Sequence, residues 1–414
     1  MAEAAPVLPY GRQAVDDEDI AAVAAVLRSD WLTTGPATQA FEAALSERGA
    51  AAHAISCANG TAALHLACLA LGLGQGDVAI VPSMTFAATA NAGRFVGAEI
   101  VFADVDPETG LMTAEHLVEA IRRAAAMSRR PSAVFPVDLA GQCVDLPAIA
   151  ELARREQMAV VEDACHAIGA EYQGRDGAWR PVGCSQDSDM TVFSFHPVKT
   201  IASGEGGAVL TQRADLAQRL ALFRGHGIHR DAAGFVDTEA GFDHAIVNPW
   251  YYEMVELGFN YRLSDINCAL GLSQLKKLDH FVATRRKLAD HYDARLAELD
   301  PIVRPIGRTA RCKPAWHLYS VLIDFEAAGL SRGQVIRALE SRGIRCQVHY
   351  IPVHRQPYYR ARYGAQSLPG AESYYRRTLS LPLFVGMGPA DVDRVVDALA
   401  RILHCDRSGK RQSR

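Results

Sequence analysis

Residues 53–71 read HAISCANGTAALHLACLAL: a short apolar run, a turn at Asn59-Gly60, and then apolar residues at helical spacing. The same alternation is repeated along the chain in VAIV (78–81) and TFAATANAGRFV (85–96), EIVFADV (99–105) and AEHLVEAIRRA (114–124), AVFPV (133–137), MAVVE (158–162) and MTVFSF (190–195). Strands that alternate with helices indicate parallel pairing, because a parallel connection needs a crossover. The sequence therefore predicts an α/β fold with a mainly parallel central sheet in a large three-layer domain.

The second half of the chain has a different pattern. Residues 227–256 are rich in Gly, Asp, His and aromatics without periodicity, which indicates a long ordered loop, and residues 173–189 read as a surface excursion. A long helical pattern over 264–299 precedes WHLYSVLIDF, SRGQVIRALESRG and PADVDRVVDALARIL, which alternate strand and helix signals. We predict a large domain over residues 12–265, a small α+β domain over 266–405 joined by a long helix, and a disordered basic tail over 406–414.

Composition narrows the class of protein. The 414 residues are 49% hydrophobic and 22% charged, and the formal net charge of −4 provides no basic field for nucleic acid. No stretch approaches the roughly 20 apolar residues of a membrane span. Nine cysteines, an odd number without a CxxC pair, favour reduced thiols. We expect a cytoplasmic protein that binds neither nucleic acid nor a membrane.

A lysine in an unusual place suggests a chemistry. Lys199 lies in SFHPVKTIASGEGG (194–207), a loop of mostly small residues that follows an apolar run. Most lysines in loops are simply solvated. The alternative is an amine held in a pocket to form a Schiff base, and that interpretation needs partner residues elsewhere in the chain.

Partners of the required kinds follow other predicted strands. A helix opens at Gly60-Thr61-Ala62, where free N–H groups can hold a phosphate, although an ordinary capped helix gives the same pattern. Asp163 ends a strand and is either a helix cap or a carboxylate that faces a pyridinium nitrogen. His166 is either structural or close to the same ring.

Two further residues complete the constellation. Phe86 begins a helix and is either a core aromatic or a stacking surface for a flat cofactor, and Ser194 brings a hydroxyl near Lys199. A phosphate-holding helix start, an aromatic, an acid and a lysine on successive strand ends are what pyridoxal 5'-phosphate requires. No GxGxxG opens a helix after the first strand, which disfavours a nicotinamide enzyme.

Five segments resemble one known family. They are NGTAALHLA (59–67), PSMTFAATANA (82–92), EDACHAIGAEY (162–172), SFHPVKTIASGEGGAVL (194–210) and ELGFNYRLSDINCALGLSQLKKLD (256–279). They are similar to the DegT/StrS family of sugar-nucleotide aminotransferases, and the similarity runs from about Leu8 to His404. The resemblance implies a fold-type-I transferase that depends on pyridoxal phosphate.

Within that family, a second set of segments resembles one subgroup. LPYGRQAVDDEDI (8–20), DWLTTGP (30–36), WYYEMVELGFNYRLSDI (250–266), WHLYSVLID (316–324) and QVHYIPVHRQPYY (347–359) are similar to the UDP-4-amino-4,6-dideoxy-N-acetyl-β-L-altrosamine transaminases. This implies transfer of the amino group of L-glutamate to C4 of a UDP-linked 4-keto-6-deoxy-N-acetylhexosamine, in a pseudaminic-acid-type pathway.

The resemblance also implies roles for individual residues. Lys199 becomes the Schiff-base lysine, Asp163 the partner of the pyridine nitrogen, and His166 a neighbour of the cofactor oxygen. The remaining cofactor contacts would be Gly60, Thr61, Ala62, Phe86, Ser194 and, from the neighbouring subunit of a homodimer with shared active sites, Asn260. The substrate contacts would be Tyr10, Trp31, Leu32, Thr33, His317 and Tyr319. No metal is implied.

Three alternatives remain open from the sequence. The enzyme could act on another keto sugar nucleotide, with a different nucleotide, configuration or carbon such as C3. It could act on amino acids, with a small-domain arginine that clamps the α-carboxylate. It could also be a non-catalytic regulator that retains the cofactor fold, although no appended helix-turn-helix is evident.

Overall fold

A computed structural model describes residues 6–403 of the chain. The helices are α1 (Asp17–Leu27), α2 (Pro36–Gly49), α3 (Gly60–Leu71), α4 (Ala87–Phe95), α5 (Ala114–Ala126), α6 (Leu146–Arg155), α7 (Ala214–Arg224), α8 (Thr238–Gly241), α9 (Asp265–Lys276), α10 (Leu278–Leu296), α11 (Phe325–Ala328), α12 (Arg332–Glu340), α13 (Pro357–Tyr363), α14 (Pro369–Arg377) and α15 (Pro389–Leu403). The strands are β1 (His53–Cys57), β2 (Val78–Pro82), β3 (Glu99–Ala103), β4 (Ala133–Val134), β5 (Ala159–Asp163), β6 (Glu171–Gln173), β7 (Trp179–Pro181), β8 (Met190–Ser194), β9 (Gly207–Thr211), β10 (Ile228–His229), β11 (Phe242–Asp243), β12 (Ile246–Val247), β13 (Glu253–Met254), β14 (Val303–Pro305), β15 (Cys312–Lys313), β16 (Tyr319–Ile323) and β17 (Thr378–Leu381).

The central sheet has seven strands in the order β1-β9-β8-β5-β4-β2-β3. The pairs β2/β3, β2/β4, β4/β5 and β5/β8 are parallel, whereas β9 runs antiparallel to both of its neighbours. The predicted α/β fold with a mainly parallel sheet is therefore confirmed. All strands except β9 share one direction, so their carboxyl ends meet at one edge of the sheet.

Burial explains why these segments form central strands and covering helices. Every residue of β2 and β8 is buried, as expected for parallel strands covered on both faces. Helix α3 starts where the Asn59 side chain accepts the Ala62 N–H at 2.8 Å and ends at Gly72, whose φ of 74° favours glycine. These local signals fix a turn and a helix start at the carboxyl edge.

A smaller antiparallel sheet with the order β14-β16-β17 lies in the C-terminal half. Helix α10 packs against α15 and β14, and α12 packs against α15, which gives an α+β arrangement. The domain limits 12–265 and 266–405 stay a prediction. The predicted tail at 406–414 lies outside the described residues.

The long helical pattern over 264–299 forms two main helices rather than one. Helix α9 packs against α1 and α2, and α10 begins after Lys277, whose φ and ψ of −97° and 0° interrupt the helix. The Lys277 ammonium lies 2.7 Å from both Asp16 and Asp19 at the start of α1. No glycine or proline marks this break, so apolar spacing alone reads as one helix.

The two irregular segments contain short ordered elements. In the predicted surface excursion, β6 and β7 form a hairpin that β15 extends. The predicted loop at 227–256 contains the pairs β10/β13 and β11/β12. The cysteines within residues 6–403 are all free thiols. No helix in the same range combines the length and apolar content needed to cross a membrane.

Candidate active site

A cavity of about 680 Å³ lies at the carboxyl edge of the central sheet. It brings together most of the residues predicted from the sequence: Tyr10, Gly60, Thr61, Ala62, Phe86, Asp163, His166, Ser194, Lys199 and His317. Five different parallel-running strands end there, so residues far apart in sequence meet around one volume. Concave sites at this edge are where ligands bind in open α/β folds.

The start of helix α3 forms one end of the cavity. The backbone N–H groups of Gly60 and Thr61 have no partner within residues 6–403, and they carry the positive end of the helix dipole. A Cβ at Gly60 would lie 2.9 Å from the Cβ of Ser194, so only glycine lets β8 approach this turn. Free donors, a dipole and the Ser194 hydroxyl form a cradle suited to a phosphate.

Asp163 projects into the cavity from the end of β5. Its side chain is buried and accepts hydrogen bonds from Thr89 Oγ1 at 2.7 Å and from the Cys165 N–H at 3.2 Å. These two donors orient the carboxylate, whose oxygens can pair with a protonated ring nitrogen. Thr89 was not identified from the sequence, since a threonine within a helix carries no distinctive signal.

Lys199 lies on the connection that turns the chain from β8 back to the antiparallel strand β9. Its backbone N–H donates to the His196 carbonyl at 2.8 Å, and its side chain is half-buried at the cavity wall. Burial lowers the pKa of the Lys199 ammonium, while Cys165 and Asp163 act in the opposite direction. A lowered pKa increases the fraction of neutral amine, which is the nucleophilic and basic form.

His166 is neutral and its tautomer follows from its contacts. Burial, followed by the charge of Lys199, holds the pKa of His166 well below its usual range. The Ala140 N–H donates to Nδ1 at 3.2 Å, so the ring proton is on Nε2. Nε2 then donates to the hydroxyl of Tyr350, 3.1 Å away.

Two cavity residues from the segment after α12 were missed by sequence reasoning. Tyr350 contacts His166 and lies 5.9 Å, ring to ring, from Phe86. His349 is buried, and its Nδ1 lies 2.8 Å from the Ser380 hydroxyl. Both belong to QVHYIPVH, which was singled out as a segment but not residue by residue. They give the cavity a wall from the C-terminal half of the chain.

Five predicted residues do not line this cavity. Trp31 and Leu32 are 56% and 46% exposed, and Thr33 is also exposed. Asn260 is exposed, and its backbone forms an isolated antiparallel β-bridge with Gly225. Tyr319 is buried in β16, where its hydroxyl donates to Asp293 at 2.5 Å and its ring stacks on Tyr292. The position of Tyr319 does not support the predicted contact with substrate, because its polar group is already used inside the protein.

The donor set fits pyridoxal phosphate. The cavity offers an amine for the aldehyde, a carboxylate for the pyridine nitrogen, and an anion cradle for the phosphate. Phe86, 59% exposed at the cavity mouth, offers a flat apolar surface for the ring.

Comparison with known proteins identifies the family. Residues 13–400 match the model of the DegT/DnrJ/EryC1/StrS aminotransferase family. Helicobacter pylori PseC, an aminotransferase involved in the biosynthesis of pseudoaminic acid, is 29% identical with a TM-score of 0.85, and the match covers 96% of this chain and 99% of that one.

Two further solved structures are similar to this chain over nearly its whole length. S. venezuelae DesV in complex with a ketimine intermediate is 31% identical with a TM-score of 0.81, over 96% of this chain and 99% of that one. The PLP form of the putative sugar aminotransferase Spr1654 from Streptococcus pneumoniae is 26% identical with a TM-score of 0.82, again over 96% and 99%. This chain belongs to the DegT/DnrJ/EryC1/StrS aminotransferase family and is a pyridoxal phosphate-dependent sugar aminotransferase.

Proposed function

We propose that this aminotransferase moves the amino group of L-glutamate to C4 of a UDP-linked 4-keto-6-deoxy-N-acetylhexosamine, in a pseudaminic-acid-type pathway. The observation that carries the site assignment is that Lys199 and Asp163 line one cavity with the start of helix α3. The similarity to PseC over nearly the whole of both chains supports the choice of substrate.

Lys199 is proposed to act both as the amine that bonds to the cofactor and as the catalytic base. When bound, pyridoxal phosphate supplies an aldehyde that accepts an amino group and a ring that withdraws electrons. The Lys199 Nζ would hold the cofactor through its aldehyde carbon and, as a free amine, would carry the proton that leaves the substrate carbon. Its lowered pKa suits both tasks, since only the neutral amine can attack or accept a proton.

Asp163 and His166 are proposed to act on the ring from two sides. The Asp163 carboxylate, with its two donors, would hold a proton on the ring nitrogen. The neutral His166 has its Nδ1 fixed by Ala140 and its Nε2 proton directed into the cavity toward Tyr350. That proton would be shared with the phenolic oxygen of the cofactor, which keeps the ring in one orientation.

The remaining predicted contacts divide into cofactor and substrate groups. Gly60, Thr61, Ala62 and Ser194 would hold the phosphate, and Phe86 would cover the ring. Tyr10 and His317 line the same cavity and are proposed to face the sugar. His317 is buried and its Nδ1 has no hydrogen-bond partner within residues 6–403, so a polar ligand group would satisfy it.

The outer contacts are proposed to form in a homodimer with shared active sites. Trp31, Leu32 and Thr33 are exposed and are proposed to line the path of the nucleotide. Asn260 is exposed outside its own cavity, which fits a residue that reaches the phosphate site of the neighbouring subunit.

The amino-acid alternative receives less support. An enzyme that acts on amino acids is expected to use an arginine of the small domain to bind the substrate α-carboxylate. None of the arginines within residues 6–403 lines the cavity. The cavity instead presents Tyr10, His317, His349 and Tyr350, neutral groups that suit sugar hydroxyls. The same absence applies to the carboxylates of the proposed L-glutamate donor, so the support for a sugar acceptor comes from the family match and not from the missing arginine.

The proposal is tested by incubating the enzyme with L-glutamate and a panel of 4-keto nucleotide sugars and detecting the amine product by mass. We expect amination of the UDP-linked 4-keto-6-deoxy-N-acetylhexosamine, with an equal amount of 2-oxoglutarate. Turnover of only other nucleotides, or of 3-keto sugars alone, would replace this substrate assignment while leaving the aminotransferase chemistry intact.

Removal of the amine should abolish the reaction. We expect Lys199→Ala to lose multiple turnover and the visible absorbance of lysine-bound cofactor, while its circular dichroism spectrum stays unchanged. Lys276→Ala is the matched control, because Lys276 is exposed on helix α9 and does not line the cavity. Sustained turnover by Lys199→Ala would contradict the proposed role.

A further inference from the structure

The Asp163 carboxylate is the end point of a line of buried hydroxyl groups. Thr89 Oγ1 lies 2.7 Å from Asp163 Oδ2, and Thr85 Oγ1 lies 2.7 Å from Thr89 Oγ1. Both threonines are buried, at 2% and 1% exposure. The other carboxylate oxygen, Oδ1, accepts the Cys165 N–H at 3.2 Å. Helix α4 and the loop before it therefore contact the acid through one hydroxyl, and that hydroxyl contacts a second one.

The direction of these hydrogen bonds follows from counting protons. A threonine hydroxyl has one proton to donate, and an ionised carboxylate can only accept. Thr89 therefore gives its proton to Asp163, and Thr85 must donate to Thr89. If Oδ2 became protonated, it would be the donor, and Thr89 would have to turn its proton to Thr85 or to the Phe86 carbonyl, 3.3 Å away.

The surroundings of Asp163 make such a donor important. Glu162 precedes it on β5, and Asp138 lies beside the end of that strand, where its N–H donates to the Asp163 carbonyl at 3.1 Å; both carboxyl groups are buried. Burial raises the pKa of Glu162 to about 7, and the charge of Asp163 adds to this effect. Of the groups in the cavity, Lys199 attracts the Asp163 charge, and burial raises the pKa of the Cys165 thiol and the pKa of the Tyr350 hydroxyl.

We propose that Thr89, with Thr85 behind it, is a positioning residue that fixes the orientation of the Asp163 carboxylate toward the ring nitrogen of the cofactor. This inference rests on the proposed role of Asp163 opposite that nitrogen. Thr89 acts through the carboxylate, so its contribution is to the protonation state of the ring and to cofactor affinity. A valine at position 89 has nearly the same shape but donates nothing, which leaves Oδ2 with one fewer donor in a buried site.

The test measures the protonation of the cofactor ring nitrogen directly. The holoenzyme is prepared with isotope-labelled pyridoxal phosphate, and the NMR chemical shift of the ring nitrogen is followed as a function of pH. We expect the wild type to keep this nitrogen protonated and Thr89→Val to lose the proton at lower pH. The dissociation constant for pyridoxal phosphate should rise by roughly tenfold, the value of one hydrogen bond to a charged group. Thr89→Ser, which keeps the donor, should restore both readouts.

Two additional variants serve as controls for this experiment. Thr211→Val is the matched control, because Thr211 is fully buried and donates a 2.7 Å hydrogen bond to the Asp189 carbonyl outside the cavity. It should cost stability without moving the nitrogen signal. If Thr89→Val does not fold, Thr85→Val should give a smaller shift in the same direction.

The outcomes separate this inference from the proposed function. A wild-type enzyme whose ring nitrogen is unprotonated would contradict the role of Asp163 itself. A protonated nitrogen that Thr89→Val and Thr85→Val leave unchanged would overturn the role of the threonines alone. A shift in Thr211→Val as large as that in Thr89→Val would reduce the effect to a general loss of packing.

Discussion

Three histidines near Lys199 are kept neutral by burial, and this neutrality has consequences at the scale of single residues. Burial lowers the pKa of His349 to about 3, and His166 and His317 are held well below their usual range for the same reason. A cationic ring here would repel the Lys199 ammonium. These three histidines therefore serve as neutral hydrogen-bonding groups over the working pH range.

The depressed pKa of His349 predicts that the protein loses stability in acid. An unfolded histidine takes up a proton near its usual pKa of about 6.5, whereas folded His349 does so only near pH 3. The unfolded state thus binds more protons as pH falls, and the free energy of unfolding should decrease by about 2 kcal/mol between pH 7 and pH 5 from this residue.

Urea denaturation at a series of pH values measures this effect. His349→Asn keeps a polar atom near Ser380 and should flatten the acid decline, and the difference between the two curves isolates this residue from carboxylates. His280→Asn, at an exposed site, should leave the decline unchanged. Parallel curves for wild type and His349→Asn would count against a neutral, buried His349.

The residues that sequence reasoning found share a position relative to the strands. Lys199 and Asp163 follow apolar runs that are long enough to read as strands, and the carboxyl ends of such strands must meet at one edge. Thr89 and Tyr350 could not be found in this way. Their role depends on which helix and which C-terminal segment pack against the cavity, and that is set by tertiary contacts rather than by local pattern.

At the scale of elements, the reversed strand β9 brings the lysine loop back against the start of α3. A Cβ at Gly207 would lie 2.5 Å from the carbonyl carbon and oxygen of Asn59 and 2.8 Å from the Gly60 nitrogen. The alternating strand-helix pattern predicts parallel pairing, and nothing in the sequence around β9 indicates that this strand is antiparallel to its neighbours. The close approach explains why glycine is needed where β9 begins.

Gly207→Ala should therefore loosen the helix start that is proposed to hold the phosphate. The contacts are to backbone atoms, which cannot rotate away, so we expect a loss of about 1–3 kcal/mol in the free energy of unfolding. The dissociation constant for pyridoxal phosphate should rise in parallel, as measured by equilibrium dialysis. Gly388→Ala is the control, because a Cβ there meets no atom within 4 Å. Equal stability of the two variants would rule out this packing constraint.

At the scale of the whole molecule, one segment exposes several large apolar side chains. Segment 227–257 exposes large apolar side chains: Val236 at 82%, Ile246 at 72%, Trp250 at 71%, Met254 at 65% and Leu257 at 77%. Contiguous exposed apolar area usually marks an interface. The exposed Asn260 follows this segment by three residues, so the segment is a candidate for the interface of the proposed homodimer with shared sites.

Mixing inactive subunits can test whether Asn260 acts across that interface. In Lys199→Ala every site lacks the amine, and in Asn260→Ala every site lacks the proposed partner contact. If each site combines Lys199 of one subunit with Asn260 of the other, a mixed dimer has one site with both lesions and one with neither. Random exchange of equal amounts should then restore about a quarter of wild-type activity, because half of the dimers are mixed and half of their sites are intact. If Asn260 served its own chain, every site would keep one lesion, and the mixture would show only the average of the two variants.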